Sequence, residues 1–337
     1  MRTLPTAKAL LPIAIAGLVL TACSSAGSDA AAGNGAQNPS EWSAVSIPAS
    51  QIDEAIRQLP DIVSQALERT GIPGASVAVV RDGSTVLSQG FGVKDNSTGE
   101  PVDADTVFRL ASLSKPVGAS VVGSVVSDTD VTWADKITDY LPGFALSDPY
   151  VTKNVQIADM YSHRSGLPEH AGDDLEDLGF NRVQILERLR YLPLSPVRTE
   201  YAYTNFGLTA AGEAVARSQG KTWEALSEER IYNPLGMSST SSTTAGFMAA
   251  SNRATPHKFE GDRTFTPTLE REPDPQSPAG GVSSSANDMA RWVAMELSQG
   301  EVGGKEIVDP DLLLESWSPH VTSNAATAPA ARAGFYG

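Results

Sequence analysis

Residues 108–116 read FRLASLSKP, and small and apolar residues follow them up to position 126. If a helix begins here, Ser112 and Lys115 lie on one face, with their Cβ atoms about 5 to 6 Å apart. A hydroxyl is a poor nucleophile until a base takes its proton, and a lysine can do so when burial or a neighbouring group lowers its pKa. The free N–H groups of the first helical turn can also stabilise an oxyanion. The spacing therefore predicts a nucleophile, Ser112, and its base, Lys115.

A Ser-x-x-Lys motif is weak evidence by itself, because about one copy is expected by chance in a chain of this composition. A second copy, Ser218 to Lys221, follows an apolar run at helical spacing and contains Gly220. Glycine commonly ends a helix, and a lysine there meets the negative pole of the helix dipole. We interpret the second copy as the end of a helix and not as a site.

A second element follows in the order that this chemistry needs, in the stretch YAYTNFG at residues 201–207. The phenol of Tyr203, held beside a lysine ammonium, can carry a proton between nucleophile and leaving group. The amide of Asn205 can hydrogen-bond to both the lysine and the substrate. An alternative stays open, in which the stretch is a surface turn and Asn205 caps the following helix.

Ser112-Leu-Ser-Lys115 followed by Tyr203-Thr-Asn205 resembles the serine β-lactamase-related family of the class C type. That family also holds D-alanyl-D-alanine carboxypeptidases and esterases. The likeness covers about residues 52 to 337. Other stretches similar to the family are Asp139–Gly143, Ser162–Leu167, Asn233–Met237 and Pro278–Ser285, which leads to Asp288–Trp292.

The resemblance implies an α+β fold of the serine β-lactamase/transpeptidase type, in which an antiparallel sheet flanked by helices joins a helical domain. Substrate would bind between the two parts. Ser112 would be acylated, Lys115 and Tyr203 would share the proton transfers, and Asn205 would help to hold the substrate. The implied reaction is hydrolysis of an amide, a β-lactam or an ester in a small molecule or peptide, with no metal and no other cofactor.

One departure from the family concerns its third element, Lys-Thr-Gly or His-x-Gly on a strand near the C-terminus. His170-Ala171-Gly172 has the right letters but precedes Tyr203, which is the wrong order. The chain stops at Gly337, where the family enters those strands, so we expect a truncated form that lacks the C-terminal sheet strands. Two alternatives to a hydrolase stay open: an envelope lipoprotein that binds peptidoglycan peptides without turnover, and an inactive truncated fragment.

The N-terminus is typical of an export signal. Arg2 and Lys8 accompany an apolar run of 12 residues, which is shorter than the run of about 20 that spans a bilayer. The run leads into LTAC, which ends in the single cysteine, Cys23, and resembles a bacterial lipoprotein signal. We expect a signal peptide over residues 1–22 and a lipid anchor on Cys23 that holds the exported protein at the cell membrane or envelope. An ordinary secretory signal with an incidental cysteine is the alternative.

Composition limits the partners and predicts a tether ahead of the folded part. The chain has 25 Lys and Arg against 40 Asp and Glu, a net charge of −15 that repels polyanions and excludes nucleic acid as a partner. Small and polar residues over 23–49 predict a flexible tether. The resemblance implies that residues 50–110 form the first part of the α/β domain, 111–300 the helical domain with both motifs, and 301–337 an incomplete return to the α/β domain.

Local patterns predict a helix and a hairpin ahead of the first motif. Apolar residues from 52 to 67 recur at helical spacing, although Pro60 predicts a break or kink. The β-type runs at 75–80 and 85–91 flank Asp82-Gly83 and predict a hairpin. Because two strands alone are marginal in water, this hairpin needs sheet partners that the sequence does not reveal.

A few other residues invite a functional interpretation. His163, His170, Asp173 and Asp174 can be drawn as a metal site, but a polar loop is the commoner meaning of such a group. We expect His163 to hydrogen-bond within its own loop. Four tryptophans lie in segments with helical spacing and are expected in the core; they are Trp133, Trp223, Trp292 and Trp317.

Overall fold

The structure is a computed structural model that describes residues 47–268, 271–324 and 334–337. The predicted signal peptide, Cys23 and nearly all of the tether lie outside these residues. In the described part, no helix is both long enough and apolar enough to cross a membrane.

Helices dominate the described residues. The α-helices are α1 (Ala49–Thr70), α2 (Ser114–Asp128), α3 (Ile137–Tyr140), α4 (Pro149–Asn154), α5 (Ile157–Tyr161), α6 (Asp173–Asp177), α7 (Arg182–Arg188), α8 (Asn205–Ser218), α9 (Trp223–Ser227), α10 (Asn233–Leu235), α11 (Thr244–Ala249), α12 (Ser277–Gly280), α13 (Ala286–Leu297) and α14 (Pro310–Ser316).

The strands form antiparallel pairs. They are β1 (Gly74–Arg81) with β2 (Ser84–Gly92), β3 (Phe108–Arg109) with β6 (Ser283–Ser284), β4 (His257–Gly261) with β5 (Thr264–Pro267), β7 (Glu301–Val302) with β8 (Lys305–Glu306), and β9 (Val321–Asn324) with β10 (Gly334–Tyr336). Helices together with small antiparallel sheets confirm the α+β class. The boundaries proposed at 110 and 300 stay a prediction.

The first helix runs without interruption through Pro60, so of the predicted break or kink the break is wrong. A proline removes a single bond of the helical ladder, and the carbonyl that it frees can bond to water where the helix lies on the surface. No residue of α1 is buried, which makes this possible along its whole length. The helix ends at Gly71, whose φ of +75° is the left-handed conformation that glycine adopts readily.

The predicted hairpin of β1 and β2 is confirmed. Its register runs from Gly74 opposite Gly92 to Arg81 opposite Ser84. The turn residues Asp82 and Gly83 both have positive φ, at 51° and 71°, as a tight hairpin turn requires. Helix α13 packs on both strands and α1 packs on β2, so helices supply the support expected from further strands.

The core lies between the helices in the middle of the chain. Helices α2 and α8 contribute fully buried side chains that include Val117, Val121, Phe206 and Leu208. Helices α3 and α5 pack on α8, and the short α12 packs on both α2 and α8. The two motifs therefore lie on neighbouring helices of one core.

The tryptophan predictions hold in part. Trp133 and Trp223 are buried, and Trp292 packs against the core with its indole donating to Ser120 at 3.0 Å. Trp317 is 39% exposed, so its assignment to the core is wrong. Trp317 follows the last residue of the short helix α14, in which Leu313 is the buried residue. The Trp317 side chain forms a hydrogen bond with Glu296.

Candidate active site

Ser112 and Lys115 lie at the junction between a 3₁₀ turn and α2, and not within one α-helix as the spacing predicts. The turn spans Ala111–Leu113 and α2 begins at Ser114. Ala111 has a φ of +47°, a conformation that non-glycine residues rarely adopt and that points to local strain. The junction leaves Ser112 exposed and places Lys115 in the interior, where 4% of its surface is accessible.

The structure brings the four predicted site residues together. Ser112 Oγ lies 2.5 Å from Tyr203 Oη, and Lys115 Nζ lies within hydrogen-bond distance of both oxygens. Lys115 Nζ also donates to Asn205 Oδ1 at 2.8 Å and to the carbonyl of Ala279, on α12, at 3.0 Å. Three separate segments thus surround one buried amine with oxygens.

Burial shifts the proton affinity of both candidate bases. It lowers the pKa of Lys115 to about 8, against an opposing effect of the nearby Asp173 carboxylate. It raises the pKa of Tyr203, although a hydrogen bond with Ser112 acts in the other direction. A lysine pKa near neutrality suits proton transfer, because a catalytic base works best when its pKa is close to the working pH.

Asn205 does not cap the helix that follows, which corrects one of the two interpretations left open. The cap of α8 is Thr204, whose Oγ1 accepts a hydrogen bond from the Gly207 N–H at 3.1 Å. Asn205 is the first residue of the helix, and its side chain is free to bond to Lys115 and, through Nδ2, to Asp173 Oδ2 at 3.0 Å. The cap and the site use adjacent residues.

His163 bonds to the Tyr203 segment instead of to its own loop as predicted. Its Nδ1 accepts a hydrogen bond from the Thr204 N–H at 3.2 Å, and its ring centroid lies 4.7 Å from that of Tyr203. The imidazole is fully buried, which lowers its pKa to about 3. A neutral His163 therefore supports the backbone beside the phenol.

A buried ion pair fixes the turn that carries His163. Asp159 is fully buried, and its carboxylate accepts hydrogen bonds from Arg164 and Arg198, each at 3.0 Å. Its other oxygen accepts from the Gln156 N–H, which caps α5. The run from Ser162 to Leu167, singled out for its likeness to a family, thus has a structural role next to the site.

The sequence argument missed the loop from His170 to Asp173, which it set aside because its order along the chain was wrong. The His170 N–H donates to the Tyr203 carbonyl at 2.8 Å, and Asp173 contacts Asn205. His170 Nδ1 lies 2.9 Å from Asp173 Oδ2. The Gly172-Asp173 pair does signal the start of a helix. The position of this loop in the chain gives no indication that the loop contacts Tyr203.

The second Ser-x-x-Lys motif lies apart from this site. Helix α8 ends at Ser218, Gly220 has a φ of +65°, and Lys221 forms an ion pair with Glu229, as expected for a helix end. Among residues 47–268, 271–324 and 334–337, no cluster of three or more His, Cys, Asp or Glu side chains is arranged to hold a metal ion.

A cavity of about 330 Å³ lies next to the catalytic lysine candidate. Its walls come from α2, α13 and the β10 region, and they include Lys115, Trp292, Glu296, Phe335 and Tyr336. The Tyr336 ring also contacts His163, with 4.8 Å between ring centroids. The mixed aromatic and polar lining is typical of small-molecule sites.

Comparison with known proteins places these features in a wider context. A family model described as beta-lactamase matches residues 53–336. An unguisins hydrolase of Aspergillus campestris is 30% identical over 258 residues, which cover 73% of this chain and 48% of the relative. Penicillin-binding protein 4 of Amycolatopsis lactamdurans is 29% identical over 235 residues, which cover 68% of this chain and 60% of the relative. The chain thus spans about half the length of these curated relatives.

A solved structure supports the fold. The octameric penicillin-binding protein homologue from Pyrococcus abyssi superposes with a TM-score of 0.69 at 17% identity, over 83% of this chain and 64% of that chain. At this identity the likeness shows a shared fold.

Proposed function

The chain belongs to the beta-lactamase family, and from that premise we propose that it is a serine hydrolase that acts through an acyl-enzyme on Ser112. Its substrate would be a small molecule or peptide with an amide, a β-lactam or an ester. The observation that carries the proposal is the mutual hydrogen bonding of Ser112 Oγ, Tyr203 Oη and Lys115 Nζ. A nucleophile within reach of its base is the geometry that covalent catalysis requires.

Acylation follows from these contacts. Ser112 Oγ attacks the substrate carbonyl and its proton passes to the Tyr203–Lys115 pair, to which we assign the base role jointly because the two groups are coupled. The bond between the carbonyl carbon and the leaving group then breaks, and the leaving nitrogen or oxygen takes the proton back from the same pair. The backbone N–H of Ser112 is the group assigned to stabilise the oxyanion, since the N–H groups of Leu113 and Ser114 already donate to the carbonyls of Leu110 and Ala111.

Deacylation reverses the roles. Water attacks the ester carbonyl of the acyl-enzyme while the pair takes a proton from it, and the proton then returns to Ser112 Oγ as the acyl bond breaks. Asn205 and the Ala279 carbonyl hold Lys115 in place during both steps. The enzyme ends in its starting protonation state.

The test is mass spectrometry of the intact chain after incubation with a fluorophosphonate or a β-lactam. We expect an adduct on Ser112 that Ser112→Ala abolishes. Ser218→Ala is the matched control, because it removes the serine of the other Ser-x-x-Lys and is expected to leave labelling unchanged. An unmodified mass with both reagents would refute the proposal, and an adduct without turnover of any ester or amide would favour the binding protein.

We also propose that the protein is exported and held at the cell membrane or envelope by a lipid on Cys23. The support is the sequence alone, in which the single cysteine follows a short apolar run. Incorporation of an alkyne-labelled fatty acid that is lost in Cys23→Ser, with release of the protein from the membrane fraction, is the expected result. The net charge of −15 supports the further expectation that nucleic acid is not a partner.

A further inference from the structure

The side chain of Asn205 has two different neighbours, one at each end of its carboxamide. Its Oδ1 accepts from Lys115 Nζ at 2.8 Å, and its Nδ2 donates to Asp173 Oδ2 at 3.0 Å. Turning the amide over would face its NH₂ toward an amine and its oxygen toward a carboxylate. Both hydrogen bonds would be lost, so the carboxylate at position 173 selects one orientation of Asn205.

Asp173 also contributes a negative charge next to a buried amine. It is the charged group that opposes the effect of burial on Lys115, since it favours the ammonium form. Tyr203 bonds to Lys115, and His170 bonds to Asp173. The neutral His163 also feels the charge of Lys115, and Glu296 and Tyr336 line the same cavity as the lysine. Glu176, on the same helix as Asp173, senses the same carboxylate.

The loop that carries Asp173 is held rigidly against the segment that it supports. The His170 N–H bonds to the Tyr203 carbonyl at 2.8 Å. Gly172 has a φ of +92°, and a Cβ placed there would lie 2.9 Å from Ile185 and 3.0 Å from Phe206. Because Phe206 directly follows Asn205, the loop packs directly against the start of α8.

We propose that Asp173 is a positioning residue of the acyl-transfer site, where it holds the Asn205 carboxamide with its oxygen toward Lys115. Asp173 does not touch the nucleophile, and it acts through Asn205. The kinetic consequences rest on the proposed function, whereas the effect on the lysine does not depend on turnover.

Two variants separate the two effects. Asp173→Asn keeps an oxygen that can accept from Asn205 but removes the charge, whereas Asp173→Ala removes both. Asp174→Asn is the matched control, because this exposed neighbour carries the same charge one residue further along the helix. Thermal unfolding first establishes that each variant folds, and either folded variant at position 173 is enough for the test.

The first measurement is an NMR titration that gives the pKa of Lys115. The chain is labelled with ¹³C-lysine, and the Lys115→Met variant identifies the signal of Lys115. Removing an opposite charge at close range is expected to lower that pKa by roughly one pH unit in both Asp173 variants and to leave it unchanged in the control. An unchanged lysine pKa in a folded Asp173 variant would overturn the inference, whether or not the chain hydrolyses anything.

The second measurement is the pH profile of kcat/KM with an activated ester. The limb that reports Lys115 should move to lower pH in both Asp173 variants, and kcat should fall about tenfold in Asp173→Ala while Asp173→Asn retains most of it. A purely structural role of Asp173 would instead lower thermal stability and leave the pH profile of kcat/KM at the same pH values as in the wild type. If the wild-type chain forms no adduct at Ser112, the proposed function fails, and the NMR titration still decides the role of Asp173.

Discussion

Replacing Lys115 by methionine should change how the stability of the chain depends on pH. Burial lowers the pKa of Lys115 from 10.5 to about 8, so the folded chain binds this proton less tightly than the unfolded chain does. The gap corresponds to about 3 kcal/mol at about 1.36 kcal/mol per pH unit. The folded state is destabilised by the full amount below pH 8, where Lys115 is protonated in both the folded and the unfolded chain. This destabilisation disappears as the pH rises toward 10.5, because the folded state loses its proton first.

The wild-type chain should therefore gain about 2 kcal/mol relative to Lys115→Met between about pH 7 and pH 9.5. Methionine leaves the oxygens of Asn205 and Ala279 without their donor, which adds a constant cost that does not depend on pH. Tyr336, whose pKa burial raises to about 12, is present in both chains, so its effect cancels in the comparison, whereas Tyr203 bonds to Lys115 and contributes to the difference.

Urea unfolding at constant ionic strength measures this difference through the midpoint and the slope m. Lys305→Met, at an exposed lysine, controls for the loss of a positive charge. If the stability difference between wild type and Lys115→Met stays constant within about 0.5 kcal/mol over this pH range, Lys115 is not a buried amine of lowered pKa, and the account of the site fails.

Three further substitutions test other parts of the structure. Tyr203→Phe should lower kcat/KM about 10²- to 10⁴-fold with little change in melting temperature, whereas Tyr201→Phe in the same segment should stay within about threefold of wild type. Gly172→Ala should cost roughly 2 to 4 kcal/mol in urea unfolding, because its Cβ meets two side chains, while Gly179→Ala, with positive φ but open space, should cost about 1 kcal/mol. Asp159→Ala should cost about 3 to 5 kcal/mol because it leaves two arginines without their buried partner, and a loss below about 1 kcal/mol in calorimetry would contradict that role.

The sequence was sufficient where local rules determine the outcome. The turn at Asp82-Gly83 needs positive φ at both residues, and these residue types adopt it, so the hairpin could be predicted. The three-residue spacing of Ser112 and Lys115 survives the change from α-helix to 3₁₀ turn, because both conformations place such residues on one side. Tyr203 was found because the chemistry requires a second proton carrier.

The rest depends on contacts between segments that are distant in the chain. Helix capping by Asn205 stayed open as an alternative because asparagine is favoured at that position, but Thr204 is the cap and leaves the amide for Lys115. His163 was assigned to its own loop, yet its partner is more than 40 residues away along the chain. The Gly172-Asp173 pair marks a helix start, but nothing local marks the contact of Asp173 with Asn205, since that contact exists only after the loop has packed on α8.

The close approach of α12 to the two motif helices explains why a lysine can be buried in this position at all. A Cβ on Gly212 would lie 2.8 Å from Pro278 Cβ, and one on Gly118 would lie 3.2 Å from the Pro278 carbonyl oxygen. Glycine on both α2 and α8 therefore lets α12 sit close enough for the Ala279 carbonyl to reach Lys115. With Asn205 opposite, fixed oxygens replace water around the amine, which limits the cost of burial while leaving the pKa low enough for proton transfer. The same packing that stabilises the helical core thus sets the reactivity of the lysine.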